Sequence, residues 1–144
     1  MAGYVIHHVA LSCSDPIALE RWYSKHFGFT RKRVYLPGPD QVVVIGTGGV
    51  SLELFRAKGE RSPTPDSDGA GPLHPGFRHL AFLVDDLDAK LGDLGDEAPL
   101  TLGPVDMSDF IPGMRVAWVS DPDGNIVELN QGYVDEERPP PLDS

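Results

Sequence analysis

The sequence predicts an α+β fold of two βαβββ modules, and three observations carry that prediction. His8-Val-Ala-Leu-Ser-Cys-Ser-Asp15 and His79-Leu-Ala-Phe-Leu-Val-Asp-Asp86 each open an apolar strand with a histidine and place an aspartate at the same later position. Gly49-Val-Ser-Leu-Glu53-Leu54 and Gly124-Asn-Ile-Val-Glu128-Leu129 each run from a glycine to a closing Glu-Leu pair. A capped helical pattern follows the histidine strand in both copies. Matching segments at a nearly constant offset mark a duplicated supersecondary unit.

The elements follow in order. Asp15 is a natural N-cap, and Pro16 fits the first helical position, where its missing N–H costs nothing. Leu19, Trp22, Tyr23 and either His26 or Phe27 then fall on one helical face, with Gly28 as the stop. Thr30–Tyr35 and Gln41–Ile45 read as strands around a Pro37-Gly-Pro-Asp40 turn, and the Glu53 segment closes the first module. In the second copy Asp85 or Asp86 caps a helix, Leu87, Leu91 and Leu94 form its stripe, and Gly95 ends it. A strand near Met114–Ser120 passes through Asp121-Pro-Asp-Gly-Asn125, whose Asp-Gly is a hairpin signal, into the Glu128 strand. The modules span 1–55 and 77–133. A linker rich in Gly, Pro, Ser and Asp occupies 56–76, and 134–144 is expected to be a flexible tail.

Bulk properties narrow the function. The 144 residues suit one domain or two half-domains sharing a core. With 22 acidic against 12 basic residues the net charge is −10, which repels nucleic acid and anionic membrane surfaces. No apolar run approaches the roughly 18 residues of a membrane span. The chain opens straight into a strand, without the basic and apolar regions of a secretion signal, and its single Cys13 cannot form an internal disulfide. A cytoplasmic protein is expected. Cys13 reads as a small buried hydrophobe rather than a nucleophile, since no histidine accompanies it in the repeat.

Strand alternation then isolates four side chains. Val9 and Leu11 oppose His8; Leu52 and Leu54 oppose Glu53; Leu80 and Phe82 oppose His79; Val127 and Leu129 oppose Glu128. Each module therefore presents one imidazole and one carboxylate on the polar face of its sheet. Such groups facing an enclosed cavity are costly to desolvate unless paired or metal-bound. Two nitrogen and two oxygen donors suit one divalent Ni, Co, Zn, Mn or Fe. Repeat alignment selects His8 over His7, which should face outward, while His26 and His74 have no counterparts and read as structural or loop residues.

These stretches, with Phe27-Gly-Phe29, Arg78-His-Leu-Ala81 and Ser120-Asp-Pro-Asp-Gly-Asn-Ile-Val-Glu-Leu129, resemble the vicinal oxygen chelate superfamily over nearly the whole chain, from Tyr4 to Tyr133. That superfamily includes glyoxalase I, methylmalonyl-CoA epimerase, extradiol dioxygenases and bleomycin- or fosfomycin-resistance proteins. The resemblance implies a cup-shaped mixed sheet around a metal that chelates vicinal oxygens of a small substrate, commonly in a homodimer, with the cup formed within one chain or across two. Its His-Glu-His-Glu ligand set is similar to that of bacterial glyoxalase I. The implied chemistry is a lyase or isomerase reaction through a metal-stabilised enediolate, with Glu128 as first choice of base and Glu53 as second. Epimerisation of a sugar-, cyclitol- or acyl-type hydroxy-ketone is the alternative, followed by dioxygenase chemistry or antibiotic binding without turnover. Tyr35, Phe55, Met107, Phe110, Arg115 and Trp118 are the candidates to line the substrate pocket.

Overall fold

The structure, a computed structural model, describes residues 6–59 and 77–141. His74, most of the expected linker, the first five residues and the end of the tail lie outside the described residues. The first unit comprises β1 (His8–Cys13), α1 (Pro16–Phe27), β2 (Thr30–Tyr35), β3 (Val42–Thr47) and β4 (Val50–Arg56). The second comprises β5 (Leu80–Leu83), α2 (Leu87–Leu94), a 3-10 turn at Gly95–Glu97, β6 (Leu100–Asp106), β7 (Arg115–Ser120) and β8 (Ile126–Gln131). Each forms a four-stranded mixed sheet, ordered β1-β4-β3-β2 and β5-β8-β7-β6. The first strand runs parallel to the last, and the other neighbours are antiparallel. The duplicated topology is the one the sequence repeat predicts.

Local chemistry explains the helix limits. The Asp15 carboxylate accepts from Ile17 N at 3.0 Å, Pro16 opens α1, and Gly28 ends it at φ 70°, a left-handed conformation that glycine adopts freely. In the second unit Asp86, not Asp85, is the cap, accepting from Ala89 N at 3.0 Å. The apolar faces then meet their sheets. Leu19 and Tyr23 of α1 are fully buried, as are Ile45 and Leu54 of the strands, and Leu87 and Leu94 lie inside with Val127 and Leu129. Truncating one of these leucines to alanine costs roughly 2–5 kcal/mol.

Two features go beyond the sequence pattern. Strand β6 completes the expected β-α-β-β-β order of the second module, but the sequence pattern gives it no bounds, and Gly103-Pro104 interrupts it. A proline is tolerated there because β6 is the edge strand, where a missing N–H breaks no ladder. The turn Asp121–Asn125, between β7 and β8, groups with the first unit. Beyond Gln131 the described tail carries neither helix nor strand, and no described helix is long and apolar enough to cross a membrane.

Candidate metal and substrate site

Each unit carries one His–Glu pair on its sheet. In the first, the parallel register sets Ala10 opposite Glu53 and His8 opposite Ser51, so His8 and Glu53 project from the same face of adjacent strands. Leu52 and Leu54, on the other face, are 2% and 0% exposed. His8 Nε2 faces Glu53 Oε1 at 4.0 Å. In the second, Ala81 stands opposite Glu128 in the equivalent register, and His79 Nε2 faces Glu128 Oε1 at 3.6 Å.

These separations are too long for hydrogen bonds. They match the span of two donors that share one ion at about 2.0–2.2 Å each, roughly 3–4 Å. Donor type and spacing within each pair therefore fit a divalent metal. The structure brings the four residues together as pairs; among the described residues no group of three or more His, Cys, Asp or Glu side chains is placed to hold an ion.

The surroundings of each pair are polar, and those of the second are incompletely satisfied. His7 does not face away: it precedes the first strand residue, so alternation does not govern it, and its Nδ1 lies 2.9 Å from His8 Nδ1. When His8 donates that hydrogen, its Nε2 keeps a lone pair toward Glu53, the tautomer a metal ligand needs. In the second unit Asn130 Nδ2 donates to Glu128 Oε2 at 3.4 Å, and Trp118 pairs across the sheet with Glu128. His79 Nδ1, Trp118 Nε1 and Asn130 Oδ1 are buried without a hydrogen-bond partner among the described residues. Buried polar atoms of native proteins are normally satisfied, so three orphans around Glu128 mark a place where a ligand or water completes the bonding.

The first unit also holds a cleft of about 570 Å³, within the usual range for small-molecule sites. His8 and Glu53 line it with Lys32, Arg33, Tyr35 and Ser51. Of the predicted pocket residues, Tyr35 lines this cleft, and Phe55 shares the face of Glu53 with 39% exposure but is not in the lining. Trp118 sits beside Glu128. Arg115 instead holds Asp88 of α2 through two bonds of 2.9 and 3.1 Å, keeping that carboxyl below its ordinary range. Met107 and Phe110 lie between β6 and β7, with Phe110 exposed.

Sequence reasoning missed Lys32 and Arg33, whose side chains carry no repeat signal, whereas strand alternation sets Ser51 on the face of Glu53. It also missed the network beneath the Asp-Pro-Asp-Gly-Asn turn. Buried Asp121 accepts from Tyr23 Oη at 2.9 Å, Asp123 N at 2.9 Å, Asn125 N at 2.8 Å and Asn125 Nδ2 at 2.7 Å. Cys13 is 1% exposed, its Sγ donates to the Phe55 carbonyl at 3.3 Å, and burial, with Asp123 nearby, pushes its thiol up to about 12. The native protein is therefore expected to resist iodoacetamide at pH 8 and to react fully once unfolded. Rapid native labelling, read by mass spectrometry, would contradict this protonated, enclosed thiol.

Two βαβββ units, each a four-stranded mixed sheet with its helix, define a duplicated α+β fold. The chain belongs to the Glyoxalase/Bleomycin resistance protein/Dioxygenase superfamily, whose profile matches residues 5–129. It is 31% identical to the uncharacterized protein YaeR of Escherichia coli (strain K12) over 127 residues, covering 86% of this chain and 93% of YaeR. It is similar to the crystal structure of a glyoxalase family protein from Enterococcus faecalis, at 30% identity and TM-score 0.62, covering 87% of this chain and 95% of that one. It is also similar to TnmS3, an antibiotic binding protein from Streptomyces sp. CB03234, at 27% identity and TM-score 0.60, covering 92% and 99%.

Proposed function

We propose that the protein is a divalent-metal-dependent lyase or isomerase that moves a proton next to a carbonyl, with His8, Glu53, His79 and Glu128 as metal ligands, two from each unit. The carrying observation is the repeated His–Glu pair, at 4.0 and 3.6 Å, on equivalent strands of both sheets. When bound, a divalent ion supplies Lewis acidity to vicinal substrate oxygens. Glu128 takes the proton from the carbon beside the carbonyl and returns it to the adjacent carbon; return to the opposite face of the same carbon gives epimerisation. Asn130 orients the Glu128 carboxylate, and the Trp118 indole N–H is available to a substrate oxygen. Glu53 is the second choice of base. The reading includes a homodimer in the cytoplasm as the working form.

Elemental analysis of the purified protein beside His79→Ala and Glu128→Ala variants tests it. About one Ni, Co, Zn, Mn or Fe per chain is expected in the wild type, with most of it lost in both variants. Metal absent from the wild type even after reconstitution sinks the proposal. That outcome would favour a second reading, capture of a small molecule without turnover, which the likeness to TnmS3 supports.

A further inference from the structure

Strand β2 carries three consecutive cations, Arg31-Lys32-Arg33, in a chain of net charge −10. Regular alternation would put Arg31 and Arg33 on one face and Lys32 on the other. The pairing with β3 breaks that pattern, since Arg31 stands opposite Ile45 and Arg33 opposite the very next residue, Val44. Ile45 is fully buried on the α1 side, whereas Val44 is paired with Glu53 on the cleft side. The irregularity therefore sends Arg31 toward α1, where Glu20 takes its guanidinium at 2.7 and 2.5 Å. Lys32 and Arg33 both end in the cleft. A bulge that re-aims a side chain beside a site is a recurrent device.

The room for Lys32 is made by a glycine. A Cβ on Gly46 would lie 2.8 Å from Ser51 Oγ and 3.2 Å from Lys32 Cε. Neither Lys32 nor Arg33 has a carboxylate partner among the described residues, although the chain has acidic groups to spare; Arg33 only rests 5.6 Å from the Tyr35 ring centroid. Two cations against the one carboxylate of Glu53 in this lining, neither paired among the described residues, leave a local positive field that draws anions.

We propose that this cleft selects substrates carrying a carboxylate or phosphate, whose oxyanion is held by Lys32 and Arg33 while the vicinal oxygens lie toward His8 and Glu53. The assignment of the reacting end rests on the proposed function above; the oxyanion contact does not. Guanidinium and ammonium donors give charge-assisted bonds to either group, and Ser51 adds a neutral hydroxyl between the two ends.

Three α-hydroxy-ketones separate the possibilities in calorimetric titrations: dihydroxyacetone, hydroxypyruvate and dihydroxyacetone phosphate. The metal-reconstituted protein is expected to bind one or both anionic probes at least about 10-fold more tightly than dihydroxyacetone, and the tighter one tells carboxylate from phosphate. Lys32→Gln with Arg33→Gln should cut anion affinity about 10- to 100-fold and leave dihydroxyacetone unchanged. Arg31→Gln, which removes a cation outside the cleft, should change neither. Equal affinity for neutral and charged probes, an unaffected double variant, or no anion binding at millimolar concentration overturns the inference. Metal content measured on the same samples keeps the two proposals apart. Anion preference without metal sinks only the proposed chemistry, and metal without anion preference sinks only this inference.

Discussion

Replacing Glu128 by glutamine is expected to slow proton exchange at the substrate carbon by about 10²- to 10⁴-fold, the contribution of a positioned general base. Glu128 suits the role because its carboxylate is held in a defined position. Its side chain is 17% exposed, Asn130 donates to one oxygen, and the other faces His79 at 3.6 Å. Glu53, at 20% exposure, has a histidine at 4.0 Å and no comparable amide donor among the described residues. Glutamine keeps the volume of Glu128 and one oxygen that can remain a ligand, so the variant separates loss of the base from loss of the metal. The measurement is deuterium uptake from solvent into an α-hydroxy-ketone, followed by NMR, with metal content determined on the same preparations. Metal retained and exchange lost identifies Glu128 as the base. A larger loss in Glu53→Gln reverses the roles, and unchanged exchange in both variants removes carboxylate base catalysis altogether.

The parts of this molecule that were legible in advance are those that obey a period. Helix α1 could be bounded from Asp15, Pro16 and Gly28 because each acts locally, Asp15 through its carboxylate and Pro16 and Gly28 through their backbone geometry. In each sheet the His and Glu could be assigned to a common face because apolar residues flank them at period two, buried beside Glu53 and Glu128 and half-buried beside His8 and His79. What broke the period was lost. The Arg31–Arg33 irregularity moves a lysine and an arginine to the same face, which no alternation rule foresees. His7 lies just before β1, so its side chain takes its direction from His8 rather than from a strand. Arg115 looked like a pocket cation on residue type alone, but Asp88 of α2 reaches it first. Asp121 looked like a turn former, and it is one; that it also receives Tyr23 from α1 is a contact between residues 98 positions apart. Such pairings leave no trace in a single sequence.

Removing that contact is expected to have the largest effect on stability. Asp121→Ala leaves the buried Tyr23 hydroxyl and two backbone N–H groups without their acceptor, at a cost of about 3–5 kcal/mol. Asp121→Asn keeps one acceptor oxygen and should cost about 1–2 kcal/mol, with the fold retained. The pH dependence identifies which force governs the charge. Burial pushes the Asp121 carboxyl above the ordinary value of 3.8, against four hydrogen bonds that pull it down. A carboxyl raised on folding holds its proton more tightly in the native state, so its contribution to stability falls as pH rises from 3.8 through the raised value. Asp88 and Asp106, which are lowered on folding, act in the opposite sense, but they are present in both proteins and cancel in the comparison. Urea denaturation across this window should therefore show the advantage of wild type over Asp121→Asn widening as the pH falls toward 3.8. An advantage that narrows on acidification would mean that the hydrogen bonds from Tyr23, Asp123 and Asn125 outweigh desolvation. Asp121 would then be a stabilised anion rather than a buried acid, and the turn would be pinned to α1 by charge.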